Sequence, residues 1–178
     1  NLILDLRSNG GGQVINLLHL SSFFMETNVP LGTFVNRSMA NAFAKETGKP
    51  GTDALEVAKW SKSKLYPSFA RSEHFEGKIV VLVNGGTGSA SEMMAAALKE
   101  QKGAKIVGSK SAGAVLASLM TPIAQRFVLQ YPVMDYVTVK GHRLEGNGLV
   151  PDVSAPAAQF GKEDEAVKLS LKVFTSTD

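Results

Sequence analysis

The 178-residue chain contains no cysteine. That excludes disulfides, cysteine nucleophiles and thiolate metal sites, and leaves the compartment open. Histidine is scarce: His19, His74 and His142 are the only three, and none has metal-ligand spacing, so neither a metal nor a cofactor is expected. No apolar run approaches the ~18 residues that read as a membrane span. There is no basic run with interleaved aromatics. The 19 basic and 16 acidic side chains leave a small, scattered net charge of +3, so nucleic acid is not an expected partner. No repeat or low-complexity tract is found. What remains is ordinary for a globular protein: 44% apolar and 20% charged residues, enough chain for one domain over 1–178. The opening Asn1-Leu2-Ile3-Leu4-Asp5-Leu6 already reads as a strand, without an initiator methionine or signal peptide. It reads as a domain excised from a longer protein, so the lack of a targeting signal says nothing about location.

Periodicity gives an α/β order. Leu2 to Leu6 is a strand-length apolar run, followed by the loop Arg7-Ser8-Asn9-Gly10-Gly11-Gly12 and a helical pattern over 13–26. Residues 31–37 have strand character, and 38–52 are small and polar. Asp53 and Glu56 open a capping-box helix to about 65, and 66–77 read as irregular. Strand 78–83, helix 90–102 with Gly103 after it, and strand 105–107 are sharper. Residues 113–121, 126–131 and 136–140 have β character, punctuated by Pro122 and Gly141. A helix over 164–174 closes the chain, with a tail to 178.

The most informative stretch joins strand 78–83 to helix 90–102: Asn84-Gly85-Gly86-Thr87-Gly88-Ser89-Ala90-Ser91-Glu92. A glycine turn that delivers a serine onto a helix N-terminus can present a nucleophile, because unpaired N–H groups and the helix dipole favour a developing oxyanion there. The same residues satisfy Ser-x-x-Glu, a plain capping box. The Gly-x-Ser-x-Gly elbow is not met, since Ser91 replaces the last glycine. A phosphate loop is excluded because no lysine follows the glycines. Ser91 lies about 200° round the helix from Ser89, so the two do not share one site.

Four segments in order give the turn its context: Leu4 to Gly12, Val80 to Glu92, Val107-Gly108-Ser109-Lys110-Ser111-Ala112-Gly113, and Glu145-Gly146-Asn147-Gly148-Leu149-Val150-Pro151-Asp152. They resemble the motifs of the carboxyl-terminal-processing, or tail-specific, serine peptidases, the family that also contains tricorn-type proteases, and they span 2–152. The resemblance implies a Clp-protease/crotonase-like α/β fold, a mixed sheet with flanking helices. It implies Ser89 as nucleophile, with the Ala90 N–H and the glycine loop at Gly11 and Gly12 forming the oxyanion hole. A polypeptide substrate, an upstream domain and a periplasmic or extracellular location follow as expectations.

One position departs from the pattern. Many members pair the serine with a lysine 25 positions later, which falls here on Ala114. A serine without a base is a poor nucleophile. The tricorn-type branch uses a histidine encoded upstream of the first strand and a glutamate before the closing glycine, and Glu145 resembles that glutamate. The chain is therefore expected to carry Ser89 and Glu145 but not its general base. Lys110 reads as a surface lysine, His19 as a core or helix-face residue, and His142 as a weak alternative base. Two rival readings stay open: a non-catalytic ligand- or peptide-binding module on the same fold, and an acyl-CoA enzyme that polarises a thioester with the glycine loop.

Overall fold

The computed structural model describes residues 1–175; the expected tail at 176–178 lies outside the described residues. In chain order the elements are β1 (Leu2–Asp5), α1 (Val14–Ser21), β2 (Thr33–Asn36), α2 (Arg37–Thr47), α3 (Ala54–Trp60), β3 (Ile79–Val83), α4 (Ala90–Lys102), β4 (Lys105–Gly108), β5 (Ala117–Ala124), β6 (Phe127–Val137), β7 (Val153–Ser154) and α5 (Glu165–Thr175). They form a four-stranded parallel sheet of order β1-β3-β4-β7 and a three-stranded antiparallel sheet of order β2-β6-β5.

β3 explains the layering. All five of its residues are buried, as expected for a central parallel strand covered on both faces. Its side chains alternate: Ile79, Val81 and Val83 join the core built with α1 and α4, while Val80 and Leu82 face Ala166 and the apolar side of α5. Each such aliphatic side chain stabilises the fold by about 1.5–3 kcal/mol. α4 is buried from Ser91 to Leu98 and runs directly out of the serine turn. The turn is therefore mounted on the best-packed strand and helix of the molecule.

The structure corrects several sequence expectations. The helix expected over 13–26 stops at Ser21, where the Ser21 and Ser22 hydroxyls turn back onto the carbonyls of Leu18 and His19; such bonds compete with the backbone ladder. The small, polar stretch from 38 is helical. Asn36 caps it by accepting from the Met39 N–H at 2.9 Å, and Gly48 ends it in the left-handed conformation. Replacing Asn36 by alanine is expected to cost about 1 kcal/mol, read as a lower urea midpoint at unchanged slope. The next helix ends at Trp60 rather than 65, because Leu65 pairs instead with Gly32 in an isolated bridge. Pro122 does not break a strand. It sits in the edge strand β5, beside a register irregularity, where a missing N–H is tolerated.

Arg7 ties the end of β1 to the start of α5, bonding Asp5 through Nε and Nη2 and Asp164 at 2.7 Å. The Arg7 hydrogen bond is the main reason the Asp5 carboxyl titrates below its ordinary 3.8. A lowered folded pKa gives stability that is present above the unfolded value and is lost as pH falls through the folded one. The acid limb of the stability curve, below about pH 4, is therefore expected to be shallower in Arg7→Gln, measured by urea titration between pH 2 and 6.

Candidate active site

The serine turn is held between two other segments. Below it, the Thr87 hydroxyl donates to the Leu6 carbonyl at 2.8 Å, Ser8 N–H donates to Asn84 Oδ1 at 2.8 Å, and Gly88 N–H donates to the Asn9 carbonyl at 3.0 Å. Above it, Ala112 N–H donates to the Thr87 carbonyl at 2.9 Å, and Ser89 N–H to the Ala114 carbonyl at 2.9 Å. The loop after β1, the turn after β3 and the segment after β4 thus meet at the carboxyl ends of three parallel strands, the usual place for a site in such sheets.

Ser89 occupies the N-cap of α4 with φ 53° and ψ −125°. A residue with a β-carbon is strained there by about 1–3 kcal/mol, and such strain concentrates at functional sites. Glu92 completes the other side of the capping box, its Oε2 accepting from Ser89 N–H at 3.1 Å. The Ser89 hydroxyl lies toward the N3 N–H, as a capping box requires, without closing a full hydrogen bond to it.

A cleft of about 890 Å³ opens over this serine. Its lining includes Gly10 to Val14, Phe34, Ser89, Ala90, Met93, Ala114, Leu116 to Ser118, Met120, Gln130 and Glu145. Gly11, Gly12, Ser89, Ala90 and Glu145, the residues that the family resemblance implies, all line this one cleft. Ser91 lines a separate small cavity behind the glycine loop, as the helical offset requires.

The two glycines differ. Gly11 has φ +95°, and a β-carbon there would lie 2.6 Å from Ser89 Cβ, 2.7 Å from the Gly88 carbonyl and 2.8 Å from Ala90 N. Only a bare backbone fits against the turn. Its N–H is held by Asn9 Oδ1 at 3.0 Å. A β-carbon on Gly12 would meet nothing within 4 Å. Among the described residues the N–H groups of Gly12 and Ala90 donate to no protein acceptor.

Glu145 is half-buried, and its Oε2 accepts from the N–H groups of Val115 at 2.8 Å and Leu116 at 3.2 Å. It braces the cleft wall and is the one charged side chain among the lining residues. No lysine or histidine is among them. Ala114 lines the cleft where the resembling family places its lysine. His19 is exposed on α1, edge-on to Phe23 and Phe69. His142 is exposed and paired with Glu100 at 3.0 Å. The Nε2 of His74 is buried without a partner. Lys110 is exposed.

Phe34, Met93 and the hairpin residues Met120 and Gln130 were not foreseen as cleft residues. They come from β2, α4, β5 and β6, and only the tertiary arrangement brings them together. Asn9 and Glu92 showed local turn and capping signals, but not the partners they reach.

Comparison with known proteins agrees with this arrangement. The sequence pattern of peptidase family S41 matches residues 1–155. A probable CtpA-like serine protease of Staphylococcus epidermidis is 29% identical over 160 residues, which covers 90% of this chain and 28% of that protein. A relative of the same description from Staphylococcus haemolyticus is 28% identical over an equal span. The chain thus spans little more than a quarter of the length of these curated relatives. Among solved structures, the photosystem II D1 C-terminal processing protease superposes with TM-score 0.65 at 24% identity, over 98% of this chain and 39% of that one. A putative peptidase from Parabacteroides merdae gives 0.69 at 16%, over 98% and 52%, and the tricorn protease 0.61 at 19%, over 97% and 14%. These likenesses show the fold: the mixed α/β arrangement is Clp-protease-like, as the family resemblance implied.

Proposed function

The chain belongs to peptidase family S41, and on that premise we propose that it forms the nucleophile-bearing core of a serine endopeptidase of the C-terminal-processing type. The carrying observation is Ser89 itself: a strained N-cap serine facing a cleft beside unpaired N–H groups. Ser89 Oγ attacks the scissile carbonyl carbon while a base takes its proton. The carbonyl oxygen becomes an oxyanion held by the Ala90 and Gly12 N–H groups, with Gly11 giving the backbone its close approach. Collapse expels the amine, which takes the proton, and leaves an acyl ester on Ser89; water then hydrolyses the ester. The substrate is a polypeptide.

The base is supplied from outside these 178 residues. In support, the described cleft is lined by no lysine or histidine, and the chain spans only 28% of its Staphylococcus epidermidis relative. The wider protein would also contribute an upstream domain and act in the periplasm or outside the cell. The exposed location of Ala114 in the cleft gives a test of the base. Ala114→Lys is expected to raise fluorophosphonate reactivity of the isolated chain on the order of tenfold or more, since a positioned base contributes at least that much.

The reading as a whole is tested by treating the full-length protein with a fluorophosphonate and mapping the adduct by peptide mass. The label is expected on Ser89 and absent from Ser89→Ala. An intact, folded protein whose Ser89 peptide stays unlabelled after prolonged exposure would leave the binding-module reading in its place.

A further inference from the structure

Glu92 is wholly buried, which a helix cap does not require. A buried carboxylate costs several kcal/mol unless its oxygens are fully paired. Here they are paired by four donors from two places, the serine turn and the segment after β4. Oε1 accepts from the Ser111 hydroxyl at 2.5 Å and the Gly113 N–H at 2.8 Å. Oε2 accepts from the Ala114 N–H at 3.0 Å and the Ser89 N–H at 3.1 Å.

The connection continues beyond Ser111. Its hydroxyl donates to Glu92 and accepts from the Leu149 N–H at 2.6 Å. The Gly146 N–H donates to the Gly113 carbonyl at 2.8 Å. Residues 145–149 therefore hang on the same carboxylate that holds Ser89. They carry Glu145, which in turn fixes Val115 and Leu116 on the cleft wall. The space is tight: a β-carbon on Gly113 would lie 2.7 Å from the Gly148 N.

We propose that Glu92 and Ser111 act as a positioning pair, one buried carboxylate and one relaying hydroxyl that lock the nucleophile turn, the 111–116 segment and the 145–149 loop into a single reactive geometry. The proposal rests on Ser89 being the nucleophile. With four donors on its two oxygens, Glu92 does not take the Ser89 proton. It holds the Ser89 backbone at φ 53°, and so sets where Oγ and the Ala90 N–H point. Ser111 needs both roles of a hydroxyl, one proton to give and one lone pair to receive, and only serine or threonine supplies both at that size.

The test measures fluorophosphonate labelling of the full-length protein, separating probe affinity KI from the labelling rate kinact. Measurements are made well below each variant's melting temperature. Glu92→Gln turns at least one acceptor into a donor facing donors. It is expected to lower kinact by roughly 10- to 100-fold, the size of effect that a displacement of about 1 Å produces, with KI nearly unchanged. Ser111→Ala, which does not touch Ser89, is expected to lose on the order of tenfold in kinact through the relay alone. Ser111→Thr, which keeps the hydroxyl, is expected to recover most of it. If Glu92→Gln does not fold, the Ser111 pair decides. Wild-type kinact in folded Glu92→Gln or Ser111→Ala overturns the proposal, as does a folded Ser111→Thr no faster than Ser111→Ala. A wild-type protein that never labels at Ser89 overturns the nucleophile assignment, and the positioning role falls with it.

Discussion

Ser89→Ala is expected to reduce the proposed protein hydrolysis by the full-length protein on the order of 10⁶-fold, the scale of loss when a serine hydrolase is stripped of its nucleophile and keeps only its oxyanion hole and binding surface. The readout is fluorescence released from labelled casein, used as a general polypeptide probe. The fold should survive the change, because the Ser89 backbone bonds to Ala114 and Glu92 are kept and losing the serine side of the capping box costs only about 1 kcal/mol. The strain at φ 53° also survives in alanine, which has a β-carbon. Ser89→Gly removes it and is expected to be about 1 kcal/mol more stable than Ser89→Ala while equally inactive. Equal stability of the two variants in urea would show that the turn is not strained by its serine. A stability gained by discarding the reactive residue is the usual sign of a site held against its own preferences.

Gly11→Ala carries the second large effect. The new methyl would overlap Ser89 Cβ at 2.6 Å and two backbone atoms, the Gly88 carbonyl oxygen and Ala90 N, at 2.7 and 2.8 Å. Backbone gives way only if the nucleophile turn moves, and φ +95° adds its own penalty. A shift of about 1 Å at Ser89 and Ala90 is worth roughly 10²-fold in rate, and the overpacking a further 1–3 kcal/mol in stability. Gly12→Ala is the control. Its β-carbon meets nothing within 4 Å, and its N–H is retained, so near wild-type stability is expected. Casein hydrolysis and urea midpoints of the two variants check this. Equal loss in both would mean that the loop works by flexibility rather than by close approach.

The two glycines look alike in the sequence, which shows where reading from sequence stops. By itself Gly10-Gly11-Gly12 reads equally well as a plain strand-to-helix turn, and only the family resemblance implied that the loop approaches the reacting centre at Ser89. Neither revealed that Gly11 alone lies against Ser89, or that Asn9 takes the Gly11 N–H, because both depend on how the ends of two strands meet. The buried strand Ile79–Val83 and helix Ala90–Lys102 were legible because apolar runs and caps are local signals. The helix Arg37–Thr47 was not, since its small, polar residues hid a cap at Asn36 and a single buried Phe43. Glu92 was visible as a cap; its bonds to Ser111, Gly113 and Ala114 span about twenty positions and leave no local pattern.

The most direct measurement is a crystal structure of the full-length protein after reaction with a fluorophosphonate. The phosphonyl group is expected on Ser89 Oγ, with one phosphonyl oxygen about 2.7–3.1 Å from the backbone nitrogens of Ala90 and Gly12. Phosphorus on any other residue, or on Ser89 with its oxygens turned to solvent and both N–H groups unused, would contradict the account.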